Sequence, residues 1–214
     1  MKIQIIPSIL EPDRESFLKR YRALSPYVKL VQLDVLDGSF LPLQNFHNPE
    51  LIDELNPKLD FEVHLMIEPA IDKLKQWNYS WVKRIYFHAE STSAPNAIID
   101  VIKSFDKEVG IAINPETDIK KIEEHINLID GTLVMTVHPG KNGQEFLHHA
   151  LDKVKELRNA YPKLDIEVDG GVNDKTAEAC VKAGANLLIV GSYLKNSSIE
   201  EDLKIIENVV NNND

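Results

Sequence analysis

The sequence has one cysteine, Cys180, which excludes an internal disulfide and a cysteine cage for zinc. Long hydrophobic runs are missing. The opening Met1-Lys2-Ile3-Gln4-Ile5-Ile6-Pro7 is too short for a signal-peptide core or a membrane span, and no later segment nears that length. Basic charge is scarce: 24 Lys and Arg stand against 34 Asp and Glu, a formal charge of -10. Proteins that grip a nucleic-acid backbone show the opposite balance, so no nucleic-acid partner is expected. An anionic ligand must then be held locally, by loop amides or a bound cation. There is no Gly/Ser-rich linker, low-complexity segment or shift of composition. One domain over 1–214, with no membrane association and a cytoplasmic location, is the expectation.

What is present is an ordinary globular composition, 43% hydrophobic and 27% charged, with a strong rhythm. Short apolar or β-branched runs occur at Ile3–Ile6, Lys29–Leu33, Phe61–Leu65, Val82–Phe87, Val109–Ile113, Gly131–Val137, Asp165–Val168 and Asn186–Val190. Their spacing of roughly 20–30 residues is that of a βα unit. Between them lie helical patterns. Leu151, Val154 and Leu157 recur at three-residue spacing in Ala150–Tyr161. Asp174–Ala183 forms a second such pattern, with Asn173 or Asp174 as N-cap and Gly184 beyond its end. Eight alternating units point to a (β/α)8 barrel of the TIM type, with a doubly wound sheet as the competitor.

Such barrels carry their chemistry at the C-terminal ends of the strands. Polar residues gather there: Ser8, then Gln32, Asp34 and Asp37, then His64, His88 with Glu90, Asn114, His138, Asp169, and Gly191-Ser192. Gln32 and Asp34 are two apart on a strand and so share a face. Asp34, His64 and Asp169 converging across a rim would form a divalent-metal site and two proton carriers. The alternative is that the aspartates cap loops and His64 is a satisfied rim residue. Gly170-Gly171 and Gly191-Ser192 match the phosphate cradle of these barrels, with the loop Gly140-Lys141-Asn142-Gly143 able to close over it. Tight βα turns alone would also explain those glycines. Met66 and Met135 near strand ends read as core filling. Glu62 and Glu167 fall one layer below His64 and Asp169 and need buried partners. His47, His125, His148 and His149 read as surface residues, and Trp77 and Trp81 as packing.

Several segments carry a resemblance beyond these patterns. They are Pro7-Ser8-Ile9-Leu10, Leu33-Asp34-Val35-Leu36-Asp37-Gly38, Val63-His64-Leu65-Met66, Phe87-His88-Ala89-Glu90, Ala112-Ile113-Asn114-Pro115, Val134-Met135-Thr136-Val137, Ile166-Glu167-Val168-Asp169-Gly170-Gly171-Val172 and Gly191-Ser192. In order and spacing the chain resembles the ribulose-phosphate 3-epimerase family. The resemblance implies a ribulose-phosphate-binding barrel that epimerises C3 of a ketose phosphate through a cis-enediolate. It implies Asp34 and Asp169 as the acid/base pair and, with His64, as ligands of a divalent cation (Zn, Fe, Mn or Mg). Ser8, Gly140, Lys141, Asn142, Gly143, Gly170, Gly171, Gly191 and Ser192 would hold substrate and phosphate, and Leu36, Met66 and Met135 would line the pocket. Family members form dimers or hexamers, which implies a homo-oligomer.

The chain departs from the family at the site. Gln32 stands where the family has a histidine ligand, Leu36 where it has methionine, and Ser39 where histidine is common. The phosphate loop reads Gly-Lys-Asn-Gly rather than Gly-Phe-Gly-Gly. A glutamine oxygen is a weaker ligand for zinc than imidazole, so reduced zinc affinity is expected. Three readings follow: a D-ribulose 5-phosphate to D-xylulose 5-phosphate epimerase with a weakened metal site, a 3-epimerase of another ketose phosphate such as a hexulose 6-phosphate, and a sugar-phosphate-binding protein without turnover. Decarboxylating relatives interleave Lys with Asp on strand two; Val35 and Leu36 occupy that stretch, which argues against that chemistry.

Overall fold

The computed structural model describes residues 2–69, 71–140, 143–195 and 198–211. Eight parallel strands close into a barrel in chain order: β1 (Gln4–Ile9), β2 (Leu30–Val35), β3 (Asp60–Leu65), β4 (Val82–His88), β5 (Glu108–Ile113), β6 (Gly131–Met135), β7 (Asp165–Asp169) and β8 (Leu187–Val190). Helices α1 (Arg14–Leu24), α2 (Pro49–Asp53), α3 (Ile71–Lys75), α4 (Pro95–Ser104), α5 (Lys120–Glu123), α6 (Leu151–Ala160), α7 (Ala177–Ala183) and α8 (Ile199–Asn211) alternate with them. The fold is a (β/α)8 TIM barrel. None of the described helices is long and apolar enough to cross a membrane.

β1 and β2 run two or three residues further than the apolar pattern suggests. β1 continues through Pro7 and Ser8 to Ile9, with Pro7 opposite Val190 and Ser8 opposite Gln32. Pro7 lacks an N–H, which is why it reads as a stop, yet its extended φ suits a strand. β2 continues through Asp34 to Val35, so Asp34 is part of the strand and pairs with His64 on β3. α7 begins later than expected, at Ala177. Asn173 is occupied in a turn, where its side chain accepts from the Lys175 N–H at 2.8 Å. Gly184 ends α7 at φ 112°, a left-handed position glycine adopts freely.

Outward-facing strand residues such as Val63, Ile85, Ile111, Val168 and Leu188 pack with the helices in one apolar layer. Because both faces of each strand are covered, the strands read as near-continuous hydrophobic runs. The barrel interior is different. Its apolar part is two small groups, one around Tyr86, Ala112, Leu133 and Met135 and one around Ile6, Leu187 and Ile189. Polar side chains fill the rest. Tyr86 fits inside because β5 offers glycine: a Cβ on Gly110 would lie 2.0 Å from its ring.

Candidate active site

The register brings Asp34, His64 and Asp169 together at the C-terminal mouth, while Asp37 turns to Lys73 and His138 is exposed beside Glu116. Asp34 and His64 are cross-strand partners, and Asp169 pairs with Met135 on one side and Ile189 on the other. His64 Nδ1 lies 3.1 Å from Asp34 Oδ1 and 3.4 Å from Asp169 Oδ2. One ligand atom from each of the three lies within 4.8 Å of the others. Two carboxylates and an imidazole at that spacing, with His64 fully buried and Asp34 nearly so, suit a divalent cation.

Gln32 sits one layer below Asp34, fully buried. Its Nε2 donates to Asp34 Oδ1 at 2.9 Å and to Asp169 Oδ2 at 2.8 Å. Its Oε1 has no hydrogen-bond partner. Gln32 therefore presents a donor to the carboxylates and ties β2 to β7 across the barrel. Only with its amide turned over would the oxygen face a cation.

Charge tuning follows from this enclosure. Burial pushes the Asp34 carboxyl up to about 6, with the His64 hydrogen bond opposing and the Asp169 charge adding to the rise. Burial works against the His64 imidazolium, but hydrogen bonds to Asp169 and Asp34 outweigh it and lift the group to about 9. A carboxylate near neutrality is suited to taking and returning a proton.

A small cavity of about 40 Å³ opens above this cluster. Ser8, Asp34, Met66, Met135, Gly140, Gly143, Asp169, Gly170, Gly171, Gly191 and Ser192 line it, together with Leu10, Val137, Gln144, Val172 and Ile189. Leu36 is buried but is not among the lining residues. Lys141 and Asn142 lie outside the described residues. Gly170 is needed at φ 120° with its Cα pressed on Val137, where a Cβ would come within 2.4 Å. Nothing crowds Gly143, whose added Cβ would meet no atom within 4 Å.

The surroundings contain groups that sequence patterning did not assign. Arg20, buried on α1, donates to the Gly191 carbonyl at 3.2 Å and approaches that of Ser8 at 3.5 Å. Asn45 donates to the Asp34 carbonyl at 2.6 Å and accepts from the Leu36 N–H at 2.9 Å, fixing the end of β2. His88, fully buried, places its Nε2 2.8 Å from His64 Nε2. Burial holds His88 below the usual imidazole value. Glu90, beside its other nitrogen, resists the upward push of burial. Contacts with His88, the Asn114 N–H and Thr117 bring it down to about 2. The pairing of His88 with Glu90 in Phe87-His88-Ala89-Glu90 was the available signal, but not its target.

Glu62 and Glu167 do lie in the layer beneath. Arg84 of β4 is the partner they need, with Nη1 3.5 Å from Glu62 and 3.7 Å from Glu167. His125 corrects the expectation of a surface residue: it is 4% exposed, with Nδ1 2.9 Å from Asn96 Oδ1. The turn after α5 folds it inward against α4. Trp77 and Trp81 are buried as expected.

Comparison with known proteins places the chain in a family. The model of the ribulose-phosphate 3-epimerase family matches residues 4–195. The chain is 34% identical over 211 residues to ribulose-phosphate 3-epimerase of Bacillus subtilis (strain 168), covering 92% of this chain and 94% of that one. It is 33% identical over 218 residues to the enzyme of the same name from Schizosaccharomyces pombe, covering 95% and 91%. Among solved structures, 3-hexulose-6-phosphate synthase from Salmonella typhimurium superposes with a TM-score of 0.73 at 13% identity, over 99% of this chain and 100% of that one. The 3-keto-L-gulonate-6-phosphate decarboxylase of Vibrio cholerae superposes at 0.74 and 11% identity, over 99% of each. These two share the fold. With its sequence matched from β1 to the turn after β8, the chain belongs to the ribulose-phosphate 3-epimerase family, enzymes of the isomerase class.

Proposed function

We propose that this protein inverts C3 of D-ribulose 5-phosphate to give D-xylulose 5-phosphate, with a divalent cation at Asp34, His64 and Asp169. The observation that carries the reading is the meeting of Asp34 from β2 and Asp169 from β7 at one cavity with His64 between them. Inversion needs a base on one face of the carbon and an acid on the other, and two carboxylates from different strands supply that. A cation there would act as a Lewis acid, favouring loss of the proton beside the ketone.

The chain's own residues do the rest. One aspartate takes the C3 proton, and an enediolate is left between the two carboxyl groups. The other aspartate delivers a proton to the opposite face. In the reverse direction they exchange roles. Gln32, bridging both carboxylates, keeps them aimed at the same carbon. Met66 and Met135 give the reacting carbons a wall without competing donors. Ser8, Gly140, Gly143, Gly170, Gly171, Gly191 and Ser192 receive the substrate and its phosphate through hydroxyl and backbone N–H groups, with Lys141 and Asn142 assigned to the same loop. Arg20, by holding the Gly191 and Ser8 carbonyls, turns that end of β8 toward the ligand. The name shared by the sequence relatives supports a sugar phosphate as the ligand, as do the names of the two barrels of the same fold. A cytoplasmic location, and a dimer or hexamer, belong to the same reading.

The test is proton exchange. The protein is incubated with D-ribulose 5-phosphate in heavy water with iron, zinc, manganese or magnesium in turn, and C3 is followed by NMR. Loss of the C3 proton with growth of D-xylulose 5-phosphate is the expected result. No exchange with any of the metals overturns the pentose reading and turns the search to other ketose phosphates, such as a hexulose 6-phosphate.

A further inference from the structure

We propose that His88 and Glu90 are positioning residues that decide which nitrogen of His64 is free to meet a cation. The inference rests on the metal-site reading above and goes beyond it in assigning a hydrogen to each ring nitrogen.

The chain of contacts runs inward from the loop after β5. Glu90 Oε1 accepts the Asn114 backbone N–H at 2.9 Å and is also bonded to the Thr117 hydroxyl. Its Oε2 lies 3.2 Å from His88 Nδ1. An ionised carboxylate only accepts, so Nδ1 of His88 carries a hydrogen. In a neutral His88, Nε2 is then a bare acceptor. It lies 2.8 Å from His64 Nε2, a contact that needs one hydrogen between the two nitrogens. That hydrogen belongs to His64. His64 Nδ1, facing Asp34 and Asp169, donates to those carboxylates without metal, and with Nε2 already engaged it is the nitrogen whose hydrogen a cation would replace. Phe40 packs against the His88 ring at 5.2 Å, and the His64 and His88 rings stack at 5.0 Å, which restrains both from turning. A carboxylate acting through an imidazole to orient a ligand histidine raises the ligand's basicity as well. Here the chain has one additional histidine link.

The relay predicts an unusual response to a nearly isosteric change. In Glu90→Gln, the Asn114 N–H requires the amide oxygen. The amide NH2 then faces His88 Nδ1 and forces that nitrogen to accept. The hydrogen of His88 moves to Nε2, His64 Nε2 must then accept, and the hydrogen on His64 Nδ1 becomes the ring's only one, which blocks the cation.

Histidine 15N NMR and zinc titration of the purified protein test this. In wild type, without metal and with zinc, His88 is expected to carry its hydrogen on Nδ1 and His64 to keep one on Nε2. Zinc is expected to shift His64 Nδ1. Glu90→Gln should move the His88 hydrogen to Nε2 and weaken zinc binding by roughly 10- to 100-fold, with unchanged circular dichroism. A wild-type His88 bearing its hydrogen on Nε2 overturns the proposal without any variant. So does zinc that leaves His64 Nδ1 untouched, or a Glu90→Gln protein whose zinc affinity stays within about twofold, against the expected range. A protein that passes these tests yet leaves ribulose 5-phosphate unchanged fails the substrate reading alone.

Discussion

The layer outside the barrel and the space inside it are built on different principles. Outside, residues such as Val63, Ile85 and Leu157 pack in one apolar cluster. Their attraction is non-directional and scales with the area removed from water. Inside, Gln32, Glu62, His64 and Glu167 are as deeply enclosed, with Arg84 partly so, but they depend on the angle and protonation of each neighbour. The outer layer can accept another side chain of similar volume. In the inner one, replacing one member of a buried pair, such as Gln32 or Arg84, strips its neighbours of their polar partner. Strand alternation assigns consecutive residues to these two regimes, so Val63 lies between Glu62 and His64.

The contrast is broken most sharply at the mouth. Asp34→Asn and Asp169→Asn should each lower kcat by about 10²- to 10⁴-fold, the usual contribution of a general acid or base. Each should retain slow exchange of the C3 proton from one epimer only, read by NMR from either sugar phosphate. Exchange from both epimers in both variants would end the two-base assignment.

One layer down, Arg84→Met removes the cation that faces Glu62 and Glu167. Loss of one partner from a buried ionic group costs about 3–5 kcal/mol, measurable by urea denaturation. The same layer sets a pH dependence. Burial raises Glu62 to about 7 from an ordinary 4.5, against the pull of Arg84. The folded state thus binds a proton that the unfolded state has released, and the associated stability is complete below about 4.5 and gone above about 7. Tm should fall across that window, and Glu62→Gln should flatten the fall. A variant with the wild-type slope would remove Glu62 as the cause.

Outside the barrel, Leu157→Ala should cost about 2–5 kcal/mol while leaving kcat at its wild-type value below the unfolding transition. A changed kcat would mean that the two layers are coupled. The smallest effect is expected at Gln32→His, which exchanges an amide donor for an imidazole ligand. Zinc affinity should rise by about tenfold, or about 1.4 kcal/mol. Unchanged affinity in a metal titration would show that this position does not reach the cation.

Much of this was legible along the chain, because strand alternation and strand–helix rhythm are local properties. Eight apolar runs announced the eight strands. The residues ending them marked the mouth, and Asp34, His64 and Asp169 could be aligned from spacing and family resemblance. Strand limits at Pro7 and the start of α7 were less legible, since a proline reads as a stop and an Asn that closes a turn reads as a helix cap until their neighbours are known. The direction of the Gln32 amide, the reach of Arg20 to Gly191, the burial of His125, and the link from Glu90 through His88 to His64 were decided only by the closed barrel. Each depends on atoms brought together from different elements, such as Gln32 and Asp169 or His64 and His88. Hydrogen bonds have direction, and a linear pattern tells which face a residue occupies but not which atom waits on the other side.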